Sequence, residues 1–113
     1  MNMQAEELCT RVMGWLEDVK GVAVKAVDVR GKTAITDFMV LCTGTSDRHV
    51  KALADNVLKE AKNAGVKPLG VEGDREAEWI LIDLNDVVVH VMTRELRDFY
   101  NLEKLWSLDA DTA

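Results

Sequence analysis

Hydrophobic residues recur along the chain at two spacings, and each spacing predicts a different type of element. In the first segment they lie three or four positions apart, which predicts an amphipathic helix over residues 3–19, ended by Gly21. These positions are Leu8, Val12, Trp15, Leu16 and Val19. The stretch VAVKAVDV (22–29) is rich in β-branched residues and predicts a strand. DFMVLCT (37–43) is an almost continuous apolar run, typical of a central strand covered on both faces.

A second helix is predicted directly after this central strand, where the sequence GTS provides its start. Ser46 is suited to the N-cap, and Asp47 in the first turn complements the helix dipole. The apolar stripe predicts the buried positions Val50, Leu53, Ala54, Val57, Leu58 and Ala61. Gly65 fits the position just beyond the helix end. Pro68 then precedes LGVEG (69–73), which predicts a short edge strand.

The rest of the chain predicts a β-hairpin within EWILIDLNDVVVHVM (78–92), followed by two short helices. Those helices are TRELRDFY and NLEKLW, capped by Thr93 and Asn101. With the two short C-terminal helices counted together, the element order is α-β-β-α-β-β-β-α, which predicts an α/β fold with a mixed β-sheet of about five strands and flanking helices. The 113 residues suffice for one core, so residues 1–113 are expected to form a single domain whose last few residues are frayed.

The two faces of the hairpin differ in composition. A two-residue turn at Asn85-Asp86 pairs Leu84 with Val87, and directly paired residues share a face of the sheet. One face is then entirely aliphatic: Ile80, Ile82, Leu84, Val87, Val89 and Val91. The other face is mixed: Trp79, Leu81, Asp83, Val88, His90 and Met92. The aliphatic face is expected to lie in the core.

Two explanations fit the mixed face. Tryptophan, methionine and an aliphatic residue, punctuated by Asp and His, form the composition of a protein interface. Alternatively, a C-terminal helix covers the face, with Trp106 stacked nearby. Composition alone favours neither explanation.

The charge of the chain bears on its partners. Fourteen Lys and Arg residues against twenty Asp and Glu residues give a net charge of −6. This balance disfavours direct phosphate binding, which requires a basic patch. It suits a basic protein surface as partner, although a solvated acidic exterior has the same composition.

Other features of the sequence indicate a cytoplasmic location. Cys9 and Cys42 are far apart and form no CxxC motif, as expected of two buried thiols in a reducing compartment. No apolar run approaches the ~18 residues needed to cross a membrane. The first residues, MNMQAEELC, resemble neither a signal peptide nor a transit peptide.

The one motif that suggests chemistry is TGTS, at a strand-to-helix junction. Backbone N–H groups of Gly44, Thr45 and Ser46 could hold an anion there, and the arrangement resembles the Gly-Ser element of the nucleotidyltransferase fold. Those enzymes carry an Asp-x-Asp pair for two metal ions on the next strand, where this chain has only Glu72 in GVEG. No enzymatic activity, metal or cofactor is therefore expected. A small nucleotidyltransferase-like enzyme or nucleotide-binding protein using Gly44-Thr45-Ser46 is the alternative.

Four separated motifs resemble one protein family in order and spacing. ITDFMVLCTGTSDRHV, GVEG, EWILIDLNDVVVHVM and LRDFYNLEKLW are similar to the bacterial ribosomal silencing factors, the Iojap-like family, over about residues 5–107. Asn85 stands in the turn where that family commonly has glycine. The resemblance implies a nucleotidyltransferase-like fold without the metal-binding carboxylates, and no catalysis.

The resemblance also implies a partner. Members of this family bind ribosomal protein fourteen of the large subunit, where the small subunit docks, and thereby repress translation in starved or stationary cells. The mixed face then supplies partner-binding candidates, and the acidic residues could pair with Lys or Arg. The candidates are Trp79, Leu81, Asp83, His90, Met92, Asp74 and Glu76. Little or no rRNA contact, no DNA or membrane partner, and a monomer or weak homodimer are expected. Arg97 could either pack or touch the partner, whereas packing is favoured for Tyr100 and Trp106.

Overall fold

A computed structural model describes residues 4–34 and 36–101 of the chain. The elements follow the predicted order: α1 Ala5–Glu17, β1 Val22–Asp28, β2 Phe38–Gly44, α2 Asp47–Asn63, β3 Gly70–Glu72, β4 Trp79–Asp83, β5 Val87–Thr93 and α3 Arg94–Tyr100. The predicted second C-terminal helix, Trp106 and the chain end lie outside the described residues. Asn101 is the C-cap of α3, with φ 48°; the helix that it was predicted to cap lies outside the described residues.

The five strands form one mixed sheet in the order β1-β2-β5-β4-β3. β2 and β5 pair in parallel at the centre, and the other three pairings are antiparallel. Every residue of β2 is buried, as the continuous apolar run predicted. The short strand β3 lies at the sheet edge, also as predicted. The α/β class and the five-stranded mixed sheet are thus confirmed, and the nucleotidyltransferase-like comparison stays a prediction.

The main core lies between the sheet and the helices α1 and α2. It contains the whole aliphatic face of the hairpin, including the fully buried Ile80 and Ile82. Five of the six predicted α2 positions are buried, and Leu58 is half-buried against this core. The Asn56 side chain donates a hydrogen bond to the Trp15 carbonyl (2.8 Å), which joins the two helices. The helices α1 and α2 therefore cover this side of the sheet.

Both ends of α2 have the predicted caps. The Ser46 hydroxyl accepts a hydrogen bond from the His49 backbone N–H at 3.1 Å, which satisfies one of the donors that a helix start leaves unpaired. At the other end Gly65 has φ +80°, and the Val66 N–H donates to the Ala61 carbonyl at 2.8 Å. These contacts set the length of α2 and place its start beside the C-terminal end of β2.

Candidate functional site

The sheet carries a second, smaller cluster on the face opposite α1 and α2. Its buried members are Val29, Met39, Leu41 and Met92, with Val27, Trp79 and Leu96 half-buried against them. The hairpin register places the mixed face here, because Trp79 pairs with Met92, Leu81 with His90, and Asp83 with Val88. This is the predicted register. Among the described helices, α3 contributes Leu96 to the cluster. Trp79 and Leu81 of the mixed face are half-buried.

Trp79 connects the buried and exposed parts of the mixed face. Its indole N–H donates a hydrogen bond to His90 Nδ1 at 3.0 Å, and its ring centroid lies 4.9 Å from that of Tyr100. Residue Trp79 is half-buried, and so is Leu81 two positions along the strand. Both side chains therefore offer apolar surface that a partner can cover.

His90 and Met92 were predicted to bind the partner through the mixed face, but neither residue is exposed there. His90 is 8% exposed and Met92 is 0% exposed. Met92 is buried beside Met39 and Leu41, and Trp79 packs against this cluster. Burial of Met92 leaves it no surface for a partner, so its role is to support Trp79 from below.

Burial also decides the protonation state of His90. Removal from water lowers the pKa of His90 to about 4, because the charged imidazolium is poorly solvated there. Since the indole N–H of Trp79 can only donate, Nδ1 of His90 must accept and the proton resides on Nε2. Protonation of Nδ1 would remove this acceptor.

A pH-dependent loss of stability is expected from this arrangement. The pKa of His90 is about 4 in the fold against an ordinary value near 6.5, so its contribution is complete above pH 6.5 and is lost as pH falls towards 4. His90→Gln keeps an acceptor but does not titrate. Between pH 7 and 4.5 the wild-type free energy of unfolding should fall by about 2–3 kcal/mol more than that of the variant. Urea unfolding at both pH values measures this, and parallel losses would contradict it.

The helix α3 is fixed over the sheet by Arg97. This residue is buried, and its Nη1 donates to the Ala23 carbonyl (2.6 Å) and to the Thr43 hydroxyl (3.0 Å). Ala23 presents its carbonyl from a β-bulge, where the register shifts between Val22 and Lys25 and φ at Ala23 is 50°. Of the two roles considered for Arg97, the structure shows packing.

Arg97 thereby positions two exposed aromatic residues that the sequence analysis did not assign to the site. Phe99 is 78% exposed, and Tyr100 is 51% exposed although its ring also contacts that of Trp79 at a tilt. The two rings meet edge to face with centroids 5.0 Å apart. Adjacent helical residues point about 100° apart, so a helix that packs on one side only cannot bury both Phe99 and Tyr100. The adjacent pair was therefore a signal in the sequence that one ring would face solvent. Trp79, Phe99 and Tyr100 are called the aromatic patch below.

An acidic loop, residues 72–78, borders the aromatic patch. Asp74 and Glu76 are exposed on it, as are Glu72 and Glu78. The loop is held at two points: Ala77 is buried in the main core, and its N–H donates to the Gly73 carbonyl at 3.1 Å. The carboxylates are therefore displayed from a fixed loop next to apolar surface.

Asp83 has a structural contact that the sequence analysis did not anticipate. Its Oδ1 accepts the backbone N–H of Asn85 at 2.8 Å, and Asn85 adopts φ 74°, the left-handed region that a tight hairpin turn requires. Glycine, which the family commonly has at this position, also adopts the left-handed conformation. Asn85 therefore preserves the same tight turn. Asp83 is half-buried at the end of β4.

The TGTS segment borders a separate cleft of about 450 Å³ at the C-terminal ends of β2 and β5. Gly44 is required there because a Cβ would come within 2.6 Å of Val50 Cγ2. Besides Gly44, Thr45 and Ser46, the lining includes Asp47, Glu78 and Glu95, with Arg94 as a basic residue. These carboxylates would repel a phosphate. Within residues 4–34 and 36–101, no three His, Cys, Asp or Glu residues are grouped to hold a metal ion.

No helix in the described part of the chain is both long and apolar enough to span a lipid bilayer.

Comparison with known proteins finds a matching family model and several similar proteins. A family model described as "Ribosomal silencing factor during starvation" matches residues 2–113. The chain is 49% identical to ribosomal silencing factor RsfS of Haemophilus influenzae, over 85% of this chain and 94% of that protein. It is 34% identical to an Iojap-related mitochondrial protein of Arabidopsis thaliana, over 84% of this chain and 54% of that protein.

A solved structure has the same fold. The crystal structure of a Chromobacterium violaceum protein matches with a TM-score of 0.91 and 42% sequence identity, covering 93% of this chain and 88% of that one.

Proposed function

Because the chain belongs to the ribosomal silencing factor family, we propose that it binds the large ribosomal subunit through ribosomal protein fourteen and blocks joining of the small subunit. Membership in this family indicates a ribosome-associated, regulatory role in translation rather than an enzymatic one. The proposed mechanism is steric, since a protein bound where the subunits meet occupies space that the small subunit needs. Its effect is repression of translation during starvation or stationary phase.

The observation that supports a docking function is the aromatic patch beside the acidic loop. Phe99 and Tyr100 remain exposed, while the ring of the half-buried Trp79 contacts that of Tyr100. Large aromatic side chains with a polar, charged rim are typical of the centre and border of a protein interface. The patch is also preorganised, because Arg97 fixes α3. Binding therefore costs little additional conformational entropy.

The proposed contact surface keeps most of the sequence candidates and adds the two aromatic residues from α3. Trp79 and Leu81 supply apolar area, and the exposed Asp74 and Glu76 face basic groups of the partner. The carboxylate of Asp83, at the end of β4, is a further group that can pair with a basic residue of the partner. His90 and Met92 act from beneath, by holding Trp79 in place.

Charge favours a protein rather than RNA as the direct partner. The net charge is −6, and the acidic loop lies next to the aromatic patch. Such a surface repels phosphates and attracts the basic residues of a ribosomal protein. We further propose that the protein acts in the cytoplasm, without a cofactor, as a monomer or weak homodimer.

Sedimentation with separated ribosomal subunits tests the proposed function. The protein should co-sediment with free large subunits and not with small subunits. Raised salt should weaken binding moderately, because charged groups at the rim contribute only part of the affinity. Equal association with both subunits, or with neither, would contradict the proposal. A steep salt dependence would instead identify rRNA as the main ligand.

A further inference from the structure

A small notch lies where the acidic loop meets the aromatic patch. It has a volume of about 260 Å³ and is lined by Glu72, Gly73, Trp79 and Leu81. Ordinary small-molecule pockets measure roughly 300–1,000 Å³. The notch therefore fits a single side chain rather than a nucleotide or metabolite.

Strand pairing brings one carboxylate next to the apolar walls. Glu72 is the register partner of Leu81, so the two side chains lie on the same face of the sheet. Trp79 is two residues from Leu81 on β4 and shares that face. The notch consequently combines an aromatic wall, an aliphatic wall and a carboxylate.

The notch is formed before any partner arrives. Gly73 has φ +83°, and a Cβ at this position would come within 2.0 Å of the Trp79 carbonyl oxygen. Only glycine permits this close approach of the loop to β4. Buried Ala77 fixes the other end of the loop.

We propose that this notch is the receptor for one arginine side chain of the partner. The aliphatic stem of the arginine lies along Leu81, its guanidinium stacks against Trp79, and Glu72 accepts its N–H groups. A planar guanidinium suits an aromatic wall and a carboxylate together, whereas an ammonium ion offers only a point charge. Exposed Asp74, Glu76 and Glu78 add negative charge along the same loop, which stays net negative with Arg75 included.

This inference rests on the proposed function, because it specifies which chemistry the docking surface recognises. It can nevertheless be tested without ribosomes. The probe is N-acetyl-arginine amide, followed by the NMR signals of the Trp79 indole N–H and the Leu81 methyl groups. N-acetyl-lysine amide and N-acetyl-leucine amide are the comparison probes.

Arginine amide should shift these signals at millimolar concentration and in a saturable way. Lysine amide should shift them less and leucine amide least, and Glu72→Gln should abolish the preference for arginine. If leucine amide binds as well as arginine amide, or if Glu72→Gln leaves the preference intact, the assignment of the notch to a guanidinium is wrong.

The matching measurement is affinity for free large subunits. Glu72→Gln preserves size and removes one charge; Glu17→Gln makes the same change on α1, on the opposite side of the sheet. Glu72→Gln should weaken binding about 10-fold, or about 1.4 kcal/mol, and Glu17→Gln less than twofold. The difference should shrink at high salt. Glu72 is exposed on an edge strand, so melting temperatures should be unchanged.

The outcomes separate the two proposals. If wild-type protein fails to bind large subunits while arginine amide still occupies the notch, the proposed function fails and the notch stands. If wild-type protein binds but both glutamine variants bind equally well, the notch is not the anchor. Weaker binding of Glu72→Gln without any arginine preference would make Glu72 a hydrogen-bond acceptor for another group, and would also overturn the inference.

Discussion

Replacement of Trp79 by alanine is expected to weaken binding to free large subunits by roughly 30- to 1000-fold. A tryptophan at the centre of an interface often contributes ~2–4 kcal/mol on truncation, and 1.4 kcal/mol corresponds to a factor of ten. We propose that Trp79 occupies such a position, because its ring contacts Tyr100, hydrogen-bonds to His90 and lines the notch beside Glu72. Its loss would remove contact area and also the support on which Tyr100 rests.

Trp79→Ala should cost less stability than the ~3–5 kcal/mol typical of a buried tryptophan, since the residue is half-buried. Trp15→Ala is the matched control, because Trp15 is also half-buried but packs on the helix side of the sheet. Affinity and melting temperature should be measured for both variants. Trp15→Ala should lose stability while keeping its affinity. If Trp79→Ala unfolds the protein, the mixed face is core; if fold and binding are intact, the contact lies elsewhere, first of all on the acidic loop.

Ile82→Ala should produce the largest loss of stability. Ile82 is fully buried on the aliphatic face, in the core beneath α1 and α2, where it pairs with Val71 and Val89 across neighbouring strands. Truncation of a buried isoleucine to alanine costs about 2–5 kcal/mol through lost transfer energy and the cavity left behind. This is a large part of the ~5–15 kcal/mol that stabilises an average protein. The melting temperature should fall by roughly 8–25 °C.

A milder substitution serves as the control for this prediction. Ile82→Val removes one methylene group and should cost about 0.5–1.5 kcal/mol. It should leave the affinity for large subunits unchanged, because the residue faces away from the aromatic patch. Thermal unfolding of the three proteins at one concentration provides the test. A loss below about 1 kcal/mol for Ile82→Ala would mean that the core relaxes around the cavity. A loss of binding by folded Ile82→Val would contradict the separation of the two faces.

Within residues 4–34 and 36–101, local patterns in the sequence were sufficient for the elements, their order and the hairpin register. The reason is that periodicity and turn chemistry act within a few residues. Ser46 caps α2 and Gly65 ends it, because these groups satisfy backbone atoms three to five residues away. The turn at Asn85-Asp86 then determines which residues share a face. The division into an aliphatic and a mixed face needed nothing more.

The exposure of individual residues on the mixed face was decided by tertiary structure. His90 and Met92 pair with Leu81 and Trp79 and share their face of the sheet. They are nevertheless buried, because they lie on the more central strand β5. Arg97 and Ala23 are 74 residues apart in sequence, and their contact helps to place α3 so that Phe99 and Tyr100 are exposed. Glu72 meets Leu81 and Trp79 because β3 pairs with β4. Such contacts join residues distant along the chain, and no local period encodes them. The sequence alone thus determined the elements and the two faces, whereas long-range packing decided which side chains of the mixed face a partner can reach.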